Sequence, residues 1–474
     1  MMRIRSFTCF AILAALSLTL AGCGKTLMDA DDEARIGAEQ HPHIIKEFGG
    51  VYQNAKLTAY VERVMQRIAR ASDKPEASYR ITILDTPVVN AFALPGGYTY
   101  VTRGLLALAS SEAELAGVIG HEIAHVTARH GARRHTATVG TQIFAGVVGA
   151  VLQAGTGIDA KATGGVVNLG GAALLAGYSR DNEYEADNLG IQAMARAGYR
   201  PQAQGDFLGK LASYGAYQAG GHSKANWLST HPNNKERVAK AYAKAKARST
   251  ANSIYEGVDA HMAAIDGMPC GDQPSQGIIR GGQFSHADLR LRFRVPRGFS
   301  LRNSPQRVMA KHKNGVQIVF DMDERIALEP PEDYLQGGWA DGADTQDLRI
   351  FKLAGRAAAS GRVQTQDGVA LLLAIPANDE QFLRFGVIAP RGQIAAAEAA
   401  MASLRQQIRF LSAAEAAAIQ PFRLQVVTVA KGDTVYSLTR RMRGQDRQQV
   451  FRLLNNIGND NRLTIGQPIK LIVD

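Results

Sequence analysis

The chain has 474 residues, a formal net charge of +11 and 46% hydrophobic side chains. That length suggests roughly two to four domains, and the hydrophobic content supports well-built cores and so excludes a chain without them. Three cysteines are too few for a stapled scaffold, while the positive charge makes anionic lipid headgroups or envelope polymers plausible partners.

At the N-terminus, Arg3 and Arg5 form a positive region, and Phe7 to Leu20 is mostly apolar, about the length of a signal-peptide core. A comfortable transmembrane helix needs about 20 apolar residues. Leu20-Ala21-Gly22-Cys23 resembles a bacterial lipobox. Residues 1–22 are therefore expected to be a lipoprotein signal peptide, with Cys23 acylated and the chain anchored to a membrane. The bland alternative is an ordinary signal peptide with an incidental cysteine. Gly24, rather than Asp, points by analogy with Gram-negative sorting to the outer membrane, facing the periplasm. Nucleic acid is not an expected partner there. Cys9 leaves with the signal, so Cys270 alone remains and no intramolecular disulfide can form in the mature protein.

Asn90 to Tyr100 reads as strand, Pro-Gly-Gly turn, strand. Next, Ser111-Glu112-Ala113-Glu114-Leu115 opens a helix, with Ser111 as N-cap and Glu114 completing a capping box. Apolar residues recur at Leu115, Val118, Ile119, Ile123 and Val126, close to a helical period. His121-Glu122-Ile123-Ala124-His125 sits in this helix as H-E-x-x-H. Residues four apart share a helix face, so both imidazoles can grip one metal ion, with Glu122 beside them to take a proton from water. The alternative is two ordinary histidines on a partly buried helix.

A Gly/Ala-rich stretch from about Val139 to Tyr178 reads as two helices joined by a flexible turn, either a lid or membrane-facing surface or a buried hairpin. Ser179 to Gly190 then supplies carboxylates. Glu183 and Asp187 are four apart and share a face, where one can bind metal and the other can accept the free N–H of a ligating histidine. Glu185 points away from that face. A solvated acidic face is the bland reading. Thr230-His231-Pro232 follows, and His231 before a proline sits in an extended or turning segment.

H-E-I-A-H-V, the later S-R-x-x-E-x-E-A-D, Asn90 to Gly97, Thr230-His231-Pro232 and Arg237 together resemble the HtpX-like and CAAX-prenyl-protease zinc metallopeptidase family, over roughly residues 30 to 245. The resemblance implies His121, His125 and Glu183 as ligands of one Zn2+, Glu122 as general base, and Asp187 as a hydrogen-bonding partner behind the ligands. It implies peptide hydrolysis by water activated at zinc. His231 has three open readings: a donor to the oxyanion of the tetrahedral intermediate, an inhibitory fourth ligand, or a capping or surface residue. In such a fold Asn90, Ala91, Phe92 and Ala93 form an edge strand that can hold an extended substrate through its backbone, or a structural hairpin only.

Lys235 to Arg248 reads as a helix closing the domain. Ser249 to Phe284 looks like a connector. Strand signatures at Leu289 to Val295, Gly315 to Phe320 and Val369 to Ile375, with a helix from Ala395 to Leu411, suggest a small α+β domain without a chemical motif. Val427 to Leu438, Phe451 to Asn456 and Leu463 to Leu471 resemble a LysM domain, implying a βααβ fold and a peptidoglycan glycan as ligand, retained or lost.

The expected fold class is thus α+β. A signal peptide at 1–22 precedes a mainly helical zincin-type domain with a small edge-strand sheet at 23–250. An α+β domain of unknown role at 285–412 and a LysM-like domain at 424–474 follow. The expected function is a membrane-anchored zinc metalloendopeptidase acting on unfolded or misassembled envelope proteins. The alternatives are a latent peptidase acting as a chaperone-like assembly factor and a peptidoglycan-binding scaffold.

Overall fold

The computed structural model describes residues 28–134, 177–219, 231–232, 235–326, 328–339, 343–458 and 460–474. The signal segment with Cys23, and the Gly/Ala-rich stretch up to residue 176, lie outside the described residues. Helix α1 (Ala30–Glu47) starts at Asp29, whose side chain accepts from the Asp32 amide at 2.8 Å. Helix α2 (Ala55–Ala71) is capped by Asn54 and buries Leu57, Val61, Val64 and Ile68 along one stripe. Such a stripe is what a helix needs to pack on a core.

Strands β1 (Arg80–Leu84), β2 (Ala91–Leu94) and β3 (Tyr98–Thr102) form a small sheet in the order β1-β3-β2. β1 runs parallel to β3, and β2 antiparallel to it, so β2 is an edge. The turn at Pro95–Gly97 needs its last glycine. Gly97 has φ +82°, and a Cβ there would lie 1.9 Å from the Ser78 carbonyl oxygen. Helices α3 (Arg103–Leu108), α4 (Glu112–Thr127), α5 (Arg180–Arg196), α6 (Gln202–Ala219), α7 (Lys235–Arg248) and α8 (Val258–Ile265) complete the helical domain. One core joins α2, α4, α5 and α6 through Val64, Ile68, Leu115, Ile119, Ile191 and Phe207. Among the described residues no helix is long and apolar enough to cross a membrane.

The expected connector is ordered. Besides α8, it holds β4 (Pro269–Cys270), β5 (Ile278–Arg280) and the start of β6 (Gln283–His286). These pieces are too short to show a period, and β4 owes its pairing to a strand some 150 residues away. Beyond it, β7 (Leu291–Arg294), β8 (Ser300–Asn303), β9 (Val308–Lys311), β10 (Gln317–Glu324), β11 (Thr345–Leu353), β12 (Arg356–Thr365), β13 (Gly368–Pro376), β14 (Gln381–Pro390), α9 (Ile394–Gln407) and β15 (Arg409–Phe410) follow. They build a seven-stranded antiparallel sheet, β11-β12-β13-β14-β10-β9-β8, and a four-stranded sheet, β15-β7-β6-β5. Phe284, Phe293, Phe320 and Phe385 pack between them, with α9 closing the same core.

The last segment is β16 (Phe422–Thr428), α10 (Val435–Arg441), α11 (Arg447–Asn455) and β17 (Pro468–Val473), the expected βααβ order. It is not a tail hung on a linker. β4 pairs with β16, and Leu424 and Leu454 belong to the core of the helical domain. Lys470 is fully buried, and its Nζ donates to the carbonyls of Ala107 and Ala109 at 2.7 Å, at the open end of α3. A helix end leaves such carbonyls without intrahelical partners.

Candidate metal centre

Helix α4 starts where the sequence indicates. Ser111 accepts from the Glu114 amide at 3.1 Å. The expected reciprocal half of the capping box differs. Glu114 accepts instead from the Ser110 amide at 2.8 Å, because the buried Lys210 ammonium, 2.7 Å away, draws the carboxylate towards itself. From Ala113 to His125 the helix is buried on every side.

Helix α5 crosses α4 at two glycines. A Cβ on Gly190 would lie 2.9 Å from the His121 backbone nitrogen and 3.0 Å from the Gly120 carbonyl carbon. A Cβ on Gly120 would be tight as well, 3.3 Å from the Gly190 carbonyl oxygen, and this close backbone approach carries Glu183 to the two histidines. The Nε2 atoms of His121 and His125 are 3.0 Å apart. Glu183 Oε1 is 3.4 Å from His125 Nε2, and Oε2 is 3.5 Å from His121 Nε2. His231 Nδ1 completes the group, 3.2 Å from His121 Nε2 and 3.0 Å from Glu183 Oε1.

The donor chemistry fits zinc. Tetrahedral bonds of about 2.0–2.1 Å place ligand atoms about 3.4 Å from one another, close to the separations just given. His121 Nδ1 donates to Asp187 Oδ1 at 2.9 Å, which turns the lone pair of Nε2 inward. Arg237 supports both acids, with Nε 2.7 Å and Nη2 2.9 Å from Asp187 and Nη1 2.5 Å from Glu183. Gln204 donates to Asp187 as well. All four centre residues are buried.

Burial works against charge here, and the neighbours override it at His121, Glu183 and Asp187 but not at His125. For His121, burial would lower the pKa, but bonds to Asp187 and Glu183 raise it to about 9. Burial would likewise raise Glu183 and Asp187. His231 and His121 hold Glu183 far below the ordinary carboxylate range, and Arg237 does the same for Asp187. His125 lies well below 6.5, with burial the main cause. Glu122 is buried, with Oε1 3.5 Å from His231 Nε2.

The structure brings His121, Glu122, His125, Glu183, Asp187 and His231 together. The strand Ala91–Leu94 lies nearby, and a cleft lined by Ala93, Leu94, His125, Arg129 and Tyr178 joins its end to the centre. Phe92 itself stacks on Tyr100 at 4.8 Å inside the fold, so its side chain serves the core. Asn90 is buried beside it and receives no side-chain partner for its Oδ1 among the described residues. Sequence reasoning missed His130 and Tyr178. Tyr178 stacks on His125 at 3.9 Å, and its burial raises its phenol to about 12. His130 lies five residues after His125, past the end of α4, and no metal-ligand spacing marks it in the sequence.

The family model of peptidase family M48 matches residues 55–245, and that of the LysM domain matches residues 427–471. The chain is 30% identical to mitochondrial metalloendopeptidase OMA1 of Schizosaccharomyces pombe, over 44% of this chain and 60% of that protein. It is 30% identical to a putative beta-barrel assembly-enhancing protease of Vibrio cholerae, over 52% of this chain and 53% of the other. With the beta-barrel assembly-enhancing protease of Yersinia pestis it shares 32% identity, over 39% and 38%. The chain thus spans between 38% and 60% of these relatives' lengths. Two solved structures, of LpqN from Mycobacterium tuberculosis and PsbP from Synechocystis, overlay 26% and 27% of the chain at TM-scores of 0.21 and 0.22. Residues 55–245 are a domain of peptidase family M48, and residues 427–471 are a LysM domain.

Proposed function

We propose that this protein is a zinc metalloendopeptidase of the bacterial envelope, acting on unfolded or misassembled envelope proteins and held latent by His231. The convergence of His121 Nε2, His125 Nε2 and Glu183 on one point, with Glu122 adjoining, carries the reading. Zinc held by these three residues would polarise a scissile carbonyl and lower the pKa of water towards about 7. Glu122 takes the proton of the attacking water and returns it to the departing amine as the peptide C–N bond breaks. Asp187 fixes the tautomer of His121, and Arg237 balances the two acids. The strand from Asn90 to Ala93 offers its backbone edge to an extended chain, so a flexible substrate suits the site better than a folded one.

A catalytic zinc keeps three protein ligands and one open position. His231 Nδ1 lies 3.2 Å from His121 Nε2 and 3.0 Å from Glu183 Oε1, where that position would be, which favours a removable plug over an oxyanion donor. The envelope substrate class rests on the beta-barrel assembly-enhancing relatives, and membrane attachment rests on the lipobox at Cys23. The test is cleavage of denatured casein by the purified zinc-loaded soluble protein, its Glu122→Gln variant and its His231→Ala variant. We expect slow cleavage by the parent, none by Glu122→Gln with zinc retained, and about 10-fold or greater acceleration by His231→Ala. Full activity of Glu122→Gln would sink the peptidase reading. Lost activity in His231→Ala would return His231 to the donor role.

A further inference from the structure

His125 has two ring nitrogens, and the second has a partner that the metal chemistry does not require. Its Nδ1 lies 2.8 Å from Nδ1 of His130, and Nε2 of His130 lies 3.1 Å from Oε2 of Glu185. Arg133 Nη1 reaches the same oxygen at 3.2 Å. His130 is fully buried, whereas the Glu185 side chain is 43% exposed. The chain therefore runs from the centre of the molecule to its surface.

The proton positions along this chain follow from chemistry. If His125 Nε2 holds a metal, its proton sits on Nδ1, which donates to Nδ1 of His130. His130 Nδ1 is then an acceptor, and its proton sits on Nε2, which donates to Glu185. Each nitrogen has one role, and the carboxylate ends the chain as the acceptor. The reverse order would put a proton on His125 Nε2, 3.0 Å from His121 Nε2, where a donor atom for metal is needed.

The backbone is shaped to build this contact. Helix α4 ends at Ala128, and Arg129 takes a left-handed conformation, φ 56°, that side chains other than glycine seldom adopt. The Arg129 guanidinium is held by Glu33 at 2.8 Å and by the Met28 carbonyl at 2.5 Å, both from the start of α1. That residue breaks the helix before His130, which opens a new helical turn over residues 130–134 and is placed with its Nδ1 2.8 Å from Nδ1 of His125. Strain of this kind persists where the surroundings over-determine it, often at functional sites.

We propose that His130 is a positioning residue for zinc: with Glu185 and Arg133 it forms a carboxylate–histidine relay that fixes the tautomer of the ligand His125 and tightens its hold on the metal. This rests on the zinc reading above. His121 has its relay through a carboxylate on α5, and His125 has one through an interposed imidazole. Partners behind a metal ligand commonly change affinity about 10–100-fold.

The test measures zinc affinity of the purified protein by competition with a chromogenic chelator, in the Glu122→Gln background so that self-cleavage does not interfere. His130→Phe keeps the ring volume and removes the acceptor; we expect affinity to fall about 10–100-fold. His130→Asn returns an acceptor at the position of Nδ1, and should restore most of the loss. Glu185→Gln perturbs the exposed end and should weaken binding by a few-fold, which keeps the relay testable if His130→Phe does not fold. Nitrogen-15 spectra of histidine-labelled, zinc-loaded protein add a readout that packing alone would not move. His125 should show a protonated Nδ1 with a downfield N–H, absent or shifted upfield in His130→Phe. Unchanged affinity and tautomer in folded His130→Phe, with His125→Ala losing zinc, would overturn the relay and leave the zinc site standing. Failure of the parent to bind zinc would overturn both.

Discussion

At the residue scale, the histidines of this chain divide by what their two nitrogens meet. His121, His125 and His231 each turn a nitrogen to one point, whereas His261 is buried for a structural purpose. Its Nε2 donates to the carbonyls of Leu106 and Ala109, each at 3.1 Å, and its Nδ1 accepts from the Tyr60 hydroxyl at 3.1 Å. Burial first, and then the charges of Lys470 and Lys210, lower its pKa to about 3 against the two backbone bonds. The folded state therefore keeps this ring neutral while the unfolded chain protonates it near 6.5. Its contribution to stability is complete above about pH 6.5 and declines as pH falls towards 3, by about 1.4 kcal/mol per pH unit. Urea midpoints at pH 7 and pH 5 should differ more in the parent than in His261→Gln, which lacks the titrating ring. Equal pH dependence in the two would refute this account. Arg237 was visible in the sequence only as a residue in a motif; its two-acid contact was not, because Glu183 and Asp187 on α5 meet Arg237 only when α7 packs against that helix.

At the scale of elements, much of the molecule was legible. The H-E-x-x-H helix could be read because its cap, its apolar recurrences and its ligand spacing all have a local period. The strands β7, β10 and β13 lie where alternation places them, and α9 begins as expected but ends at Gln407, where β15 (Arg409–Phe410) pairs with β7 instead of continuing the helix to Leu411. Three features were not legible for one shared reason: they depend on distant partners. The Glu114 side chain answers to Lys210, β4 to β16, and His130 to a helix break at Arg129 held by Glu33. The α4–α5 crossing is a fourth case, legible afterwards in Gly120 and Gly190. Gly190→Ala would push a methyl to 2.9 Å from the His121 nitrogen, against backbone that cannot turn aside. We expect a stability loss of about 1–3 kcal/mol from overpacking, and weaker zinc binding as Glu183 withdraws. Thermal melts with and without zinc check this. A variant that melts like the parent and binds zinc equally would mean that the helices can separate without cost to the site.

At the scale of the whole molecule, the LysM segment shares its structure with the peptidase domain. Lys470 closes the end of α3, and Leu424 and Leu454 lie in the common core. We expect the full protein to sediment with purified peptidoglycan sacculi and the Glu122→Gln variant to do so equally, since Glu122 belongs to the metal centre on α4. Protein left wholly in the supernatant would mean that the segment is retained for packing alone. The shared core has a mechanical consequence. A LysM unit on a free linker would work as a leash, letting the cleft beside His125 sweep a volume set by linker length. Here it is a fixed mount, so any surface it grips also sets the direction in which the cleft between β2 and α4 faces. Which chains come within range then becomes a matter of aim as well as of distance.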